Sequence, residues 1–400
     1  MFLMKKLLLI IFFIFITNPA FAGYSYYRSI VVAHGQVSTS SQTQFPILVC
    51  GNGSGVCNAS ISGLNQSGGG AHVQNSNGYD IIFTTDSGCA TPLTWEMERY
   101  VASTGEFEAW VTNTGTPLSN SSDTTFYMCY GNSAISSFQS TASSVWDSNY
   151  KGVWHLPNGT TLTAADSTTS SNTGTLNNTP TATTGQIAGA ASFTAASSQY
   201  ITTANIANIG TPTISMWFNI PSIPVSSSQF SIVGVVQGDN SGTADKDFAV
   251  GGTTSAGPGL IYWFVYDGGL KIINSTVSIS TGVWHYLVGT ADGTTQRLYI
   301  DGSQVASGSA GTAYTGFGAP GLEINGSFRG GLVSTYLTES VDEVRMSNIA
   351  RSAGWIATEY NNQSSPSTFY SVGTETPFST PTHSNQISGV SLISGVSLLN

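Results

Sequence analysis

Oxygen-bearing side chains mark the first chemistry this sequence could perform. Asp166 begins the loop DSTTSSNTG, which also offers the Asn172 side-chain oxygen and backbone carbonyls near Gly174, while Asp342 lies farther along in VDEV. Hard donors of this kind suit a calcium ion, which accepts about six to eight oxygens at flexible angles. The competing reading is an Asx-type turn at Asp166 and a surface pairing of Asp342 with Arg345. A second acidic group, Asp239, Asn240, Asp245 and Asp247, lacks the glycine and terminal glutamate of an EF-hand loop and reads as solvated.

Glycoside hydrolysis would need two carboxyl groups, about 5 Å apart in a retaining enzyme, one to protonate the leaving oxygen and one to attack. In TWEMERY (Thr94 to Tyr100), strand alternation puts Glu96 and Glu98 on one face, and Glu108 falls on the strand expected to pair with it. Solvent-facing strand carboxylates give the same pattern. Farther on, Asp342 and Glu343 are neighbours that should point to opposite faces, and no ExDxxE-like spacing occurs. The histidines, His34, His72, His155, His285 and His383, accompany no GxSxG elbow and no HExxH pair. His155 and His285 each follow a tryptophan in an expected strand, which suits packing. No catalytic residue is assigned.

Aromatic side chains are the remaining candidates for contact with a ligand. Trp217, Tyr262, Trp263, Tyr266 and Tyr299 fall on strands that could line a concave sheet, where ring faces stack on sugar C–H surfaces. The alternative is that these rings are core.

The elements that must position these groups are strands. In GVWHYLVGTADGTTQRLYIDGSQVAS (Gly282 to Ser307), Trp284, Tyr286 and Val288 alternate with His285 and Leu287, and turns fall at Asp292-Gly293 and Asp301-Gly302. Antiparallel strands in succession follow from this stretch. From Tyr24 to Tyr150 the strand signals include Arg28 to Val32, Phe45 to Val49, Tyr79 to Thr84, the TWEMERY and FEAWV hairpin, and Thr125 to Asn132. From Lys151 onward they include GVWHL, TISMWFNI, FSIVGVV, IYWFVY and SVDEVRM. One short helix is expected after Ser352, an N-cap, ending near Asn361. The fold class is all-β: a β-sandwich over residues 23–150, a larger one over 151–376, and a flexible tail over 377–400 that holds two copies of ISGVSL. Direct passage from Trp146–Tyr150 into Lys151, without a linker, predicts that the sandwiches pack with limited freedom.

Composition sets the compartment and excludes partners. Lys5 and Lys6, the apolar run Leu7 to Ile16 and the Ala20-Phe21-Ala22 site read as a secretory signal peptide over residues 1–22. The chain carries a formal charge of −10, so nucleic acid and anionic lipid are poor partners. Charged residues make up only 8% against about 25% in ordinary globular proteins, a mixture that suits a secreted or cell-surface β protein. Export permits disulfides among Cys50, Cys57, Cys89 and Cys129, for which three pairings exist; Cys50 and Cys57 flank a glycine-rich turn and could close a small loop.

Residues FPILV, GYDIIFTTD, WEMERY with STGEFEAWV, and FYMCYGN stand in an order that resembles a bacterial extracellular domain of unknown function, over about residues 24–150. The order GVWHL, ADSTTSSNTGTLNN, AASF, QYI, TISMWF, GVWHYLVGTADGTTQRLYIDG and VDEVRMSNIARS resembles the laminin-G-like group of concanavalin A-type jelly rolls. That resemblance implies two curved antiparallel sheets, a calcium ion at one rim with Asp166 and Asp342 approaching each other, and binding of glycans or proteins. The expected function is therefore a secreted, non-catalytic binding or adhesion protein with structural calcium. A polysaccharide-active glycoside hydrolase and a purely structural cell-surface module are the alternatives.

Overall fold

The computed structural model describes residues 23–112, 115–157, 161–204, 206, 209–223, 229–235, 246–251, 259–266, 270–310, 321–326 and 336–378. The expected signal segment, the ISGVSL copies, and Asp239, Asn240 and Asp245 lie outside these residues, as do the side chains of Asp247 and Tyr266. Among the described residues no helix is long and apolar enough to cross a membrane.

The first sandwich pairs two antiparallel sheets. One contains Tyr26–Val32, Thr124–Tyr130 and Ile82–Thr84; the other orders Pro46–Gly51, Glu106–Thr112 and Thr94–Val101. Their apolar faces meet in a core that includes Leu48, Phe83, Trp95, Phe107, Trp110 and Met128. Alternation does its expected work in the first strand, where Arg28, Ile30 and Val32 are buried and the residues between them are half-exposed. The cysteines pair as Cys50–Cys57 and Cys89–Cys129, closing loops of sequence separation 7 and 40.

The second sandwich is larger. One sheet runs Ser303–Ser309, Thr295–Ile300, His285–Ala291, Thr213–Asn219, Glu339–Ser347, Gly189–Phe193, Thr181–Thr184, with Tyr150–Trp154 also paired to Glu339–Ser347. The opposing sheet runs Leu270–Ser278, Leu260–Tyr266, Lys246–Gly251, Gln229–Val235, Leu322–Ile324, Tyr200–Thr202, Thr175–Asn177. The expected turns at Asp292-Gly293 and Asp301-Gly302 fall between consecutive strands of the first of these sheets. At the second turn Asp301 has φ 49° and Gly302 φ 76°, the left-handed pair a tight hairpin demands. Trp263, Ile214, Met216, Leu287 and Val344 lie in the core between the sheets.

Two features of the chain's end differ from the sequence reading. The helix after Ser352 spans Ala353–Ser364, capped by the Ser352 side chain accepting from Trp355 N, and a second short helix follows at Pro366–Phe369. Tyr370–Val372 and Thr376–Pro377, placed by sequence at the end of the second sandwich and the start of the tail, pair instead with Tyr26–Val32 of the first. Glu375 secures this return, accepting from the Tyr130 hydroxyl at 2.7 Å and facing His72 Nδ1 at 3.0 Å. The Ala353–Ser364 helix, α1, is mortared to both units. Asn362 exchanges two hydrogen bonds with the Leu48 backbone, while Gln363 Oε1 accepts from Trp217 Nε1 at 2.6 Å.

Candidate functional site: a charged seam between the sandwiches

Charged side chains converge where the two sandwiches meet. Glu96 and Glu98 come from the Thr94–Val101 strand, His155 follows Tyr150–Trp154, Glu343 and Arg345 come from Glu339–Ser347, and Glu359 from α1. His155 Nδ1 lies 2.6 Å from Glu343 Oε1 and 3.6 Å from Glu98 Oε2, and its Nε2 lies 3.4 Å from Glu96 Oε2. Glu96 also accepts from Trp146 Nε1 at 2.9 Å and from Ser167 Oγ at 2.6 Å. Glu98 Oε2 accepts from Trp110 Nε1 at 2.9 Å. Arg345 bridges Glu343 and Glu359 with bonds of 2.6 Å each, its plane over the Trp110 ring.

Irregular strands aim these groups. Opposite Ala109 and Glu108 stand Met97 and Arg99, so Glu98 is an extra residue in its strand. Opposite Ser215 and Trp217 stand Arg345 and Asp342, so Glu339–Ser347 also carries an extra residue, and Glu343 there has φ 50°. A β-bulge turns a side chain out of simple alternation. Each sandwich thus uses a bulge to deliver one carboxylate to the seam. Asp342 and Glu343 are both fully buried.

The electrostatics follow from burial and neighbours. Burial opposes a charge on His155, but the carboxylates of Glu343, Glu96 and Glu98 outweigh it and hold the imidazolium well above its ordinary range. Burial likewise disfavours ionised Glu343 and Glu96. The His155 charge reverses this for both, aided by Arg345 at Glu343 and by hydrogen bonds at Glu96, so both carboxyls stay below the usual range. Glu98 goes the other way, pushed well up first by burial and then by Glu343. Glu108, apart from the group, is pushed up to about 8 by burial and the Glu106 charge.

The structure leaves the sequence-derived metal residues apart from this group in different ways. Asp166 Oδ1 accepts from Val153 N at 3.0 Å and Thr168 N at 2.9 Å, and its Oδ2 from Thr168 Oγ1 at 3.0 Å and Asn172 N at 2.7 Å. A carboxylate has about four lone-pair directions, and these donors occupy them. Asn172 in turn donates its side-chain amide to Lys151 O, while its backbone carbonyl accepts from Trp154 Nε1. Asp342 Oδ2 accepts from Ile187 N at 2.9 Å; its Oδ1 has no partner among the described residues. Asp166 thus serves as an Asx-turn clamp on the 151–172 loop, with Asn172 tied to it through its backbone N–H. The expected surface pairing of Asp342 with Arg345 is also replaced: Arg345 is buried and pairs with Glu343 and Glu359.

Trp217, Tyr262, Trp263 and Tyr299 are each at most 2% exposed, so the ligand-stacking expectation gives way to packing. Trp217 lies under α1, stacked on Tyr360 at 5.9 Å. Trp263 presses so closely on Gly289 that a Cβ there would come within 2.4 Å of its ring. Open space exists instead at the edges of the seam. A groove of about 340 Å³ is lined by Asn77, Tyr79, Met97, Arg99 and Phe138 beside Glu96 and Glu98. Another, of about 290 Å³, lies between Gln42, Asp147, Arg351 and Trp355.

Sequence reasoning missed Arg345, Glu359, Trp110 and Trp146 as parts of one group. A signal was present: in a chain with 8% charged residues, the run Asp342-Glu343-Val344-Arg345 is conspicuously dense.

Comparison with known proteins addresses the fold. A family model described as the concanavalin A-like lectin/glucanases superfamily matches residues 193–357. No curated protein matches the sequence. Among solved structures, the chain is similar to domain 4 of AbnA, a GH43 extracellular arabinanase from Geobacillus stearothermophilus, in complex with arabinotriose: TM-score 0.43, 15% identity, 53% of this chain and 98% of that one. It is also similar to the binding domain of Paraclostridial Mosquitocidal Protein 1 (0.42, 14%, 53% and 52%). A third likeness is to the receptor binding domain of botulinum neurotoxin D (0.39, 14%, 54% and 53%). The chain spans about half the length of those last two proteins. At such identities the likeness concerns architecture alone. The chain is nearly all β, and its residues 193–357 resemble a laminin-G-like, concanavalin A-like domain.

Proposed function

We propose that this is a secreted, non-catalytic binding protein that recognises an extracellular glycan or protein through its concanavalin A-like domain. The first sandwich acts as a rigid mount. The observation that carries this reading is the use made of the carboxylates. Glu96, Glu98 and Glu343, which could have supplied an acid and a nucleophile, are packed beneath Trp110 and Trp146 and engaged by His155, Arg345 and Ser167. Hydrolysis needs one carboxyl free to protonate the leaving oxygen and one free to attack. A buried group committed to these bonds holds two domains together instead.

Binding rather than cleavage also suits the seam mechanically. Adhesion loads the junction between units, and here the junction is fixed by charge, by aromatic packing and by α1. The test is a printed array of animal, plant and microbial glycans and extracellular-matrix proteins, probed with the full mature chain. Saturable retention on a defined class is expected. Absence of retention across the array would overturn the proposal in favour of a structural module.

A further inference from the structure

We propose that Glu98, His155 and Glu343 form a binding site for a divalent transition-metal ion, zinc in the first instance, buried at the seam. One ligand atom from each of these residues lies within 4.8 Å of the others, the one such convergence of His, Cys, Asp or Glu among the described residues. Zinc bonds of about 2.0–2.2 Å require neighbouring donors roughly 3–3.5 Å apart. The present separations from His155 Nδ1, 2.6 Å to Glu343 Oε1 and 3.6 Å to Glu98 Oε2, bracket that spacing. A nitrogen with two carboxylates is a donor set zinc accepts, leaving a fourth position for water.

Independent observations favour a cation here over a self-sufficient salt bridge. The Glu98 side chain is only 1% exposed, yet its Oε1 has no hydrogen-bond partner among the described residues. An oxygen stripped of water and given no donor is costly, and an ion removes that cost. The surroundings are also short of positive charge: Glu96, Glu98, Asp342, Glu343 and Glu359 share His155 and Arg345. Next, the outer contacts have the form that orients metal ligands. Glu96 faces Nε2 of His155, which leaves Nδ1 to the cluster; Trp110 Nε1 fixes Glu98, and Arg345 fixes the far oxygen of Glu343. Finally, both ligating carboxylates stand at β-bulges, so backbone irregularity in two separate sheets serves one point. The groove lined by Glu96, Glu98, Tyr79 and Phe138 gives a route from solvent.

Loading exchanges a proton for the ion. The proton between Nδ1 and Glu343 Oε1 leaves to solvent as the Nδ1 lone pair binds the metal, and any proton that burial keeps on Glu98 leaves with it, so uptake is proton-releasing and weakens in acid. The experiment strips the full mature chain with dipicolinate, reloads it with zinc at neutral pH, desalts it and measures bound zinc by mass spectrometry. About one equivalent is expected for wild type and for His34→Ala, which removes the exposed His34–Asp123 pair as an adventitious site. Glu98→Gln should lose at least about tenfold in affinity. Cobalt-loaded wild type provides a check that needs no variant, an absorption band of four-coordinate cobalt. Wild type holding less than about a tenth of an equivalent, or zinc lost with His34→Ala and kept with Glu98→Gln, would overturn the assignment.

Discussion

The Arg345 guanidinium carbon lies 4.2 Å from the centre of the Trp110 ring, a contact that crosses from one sandwich to the other. The same guanidinium holds Glu343 and Glu359, so it ties a strand of the second sandwich, helix α1 and the first sandwich at one point. Removing it takes the ion partner from buried Glu359 and leaves Glu343 with His155 alone. Arg345→Leu should cost about 3–5 kcal/mol, the range for breaking one partner out of a buried pair. Urea unfolding checks this, and an undiminished midpoint would mean the seam carries no load.

The pH dependence has a defined sign. His155 is raised, so its contribution is complete below its unfolded value and declines as pH rises through the folded one. Glu323, raised to about 7 by burial, and Glu108, raised to about 8, act in the same direction, costing stability as pH rises above the ordinary carboxylate range. Glu96 and Glu343 are lowered, so their contribution is present above their unfolded values and lost in stronger acid. Stability should therefore peak in mildly acidic buffer and fall towards about pH 8. Glu108→Gln should flatten the alkaline fall by more than about 1 kcal/mol, measured by urea titration at pH 5 and pH 8.

The disulfides should differ in weight. A cross-link closing a separation of 40 residues restricts the unfolded chain more than one closing 7. Chain entropy gives about 4 kcal/mol for Cys89–Cys129 and about 2.5 kcal/mol for Cys50–Cys57. Paired alanine replacements, compared by thermal unfolding, should rank in that order.

Trp217 separates core from ligand contact. Its ring lies between Tyr286 and Tyr360 and its indole N–H reaches Gln363. Trp217→Ala should cost about 3–5 kcal/mol of stability, while the folded fraction keeps its affinity for any ligand found on an array. Loss of affinity at unchanged stability would restore Trp217 as a contact residue.

Local signals carried much of the fold into the sequence. The hairpins at Asp292-Gly293 and Asp301-Gly302 depend on neighbours in the chain, and Ser352 caps its helix through a bond only three residues long. What the sequence hid is non-local. Val32 pairs with Tyr370 because the chain returns across the whole second sandwich, and no local period encodes that. The candidate site was hidden for a related reason. Glu98 and Glu343 leave strict alternation at bulges, so counting faces assigned them to solvent or to opposite sides. Aromatic residues misled in the other direction: Trp217 and Trp263 have the composition of a sugar platform and the positions of a core.

The most direct test concerns what the seam carboxylates do. Wild-type protein is incubated with arabinan, xylan, laminarin and chitin oligomers, and new reducing ends are counted against buffer. The account predicts none, because Glu96, Glu98 and Glu343 hold His155 and Arg345 rather than meeting a sugar. Reducing ends that accumulate with wild type and vanish with a folded Glu96→Gln variant would contradict it.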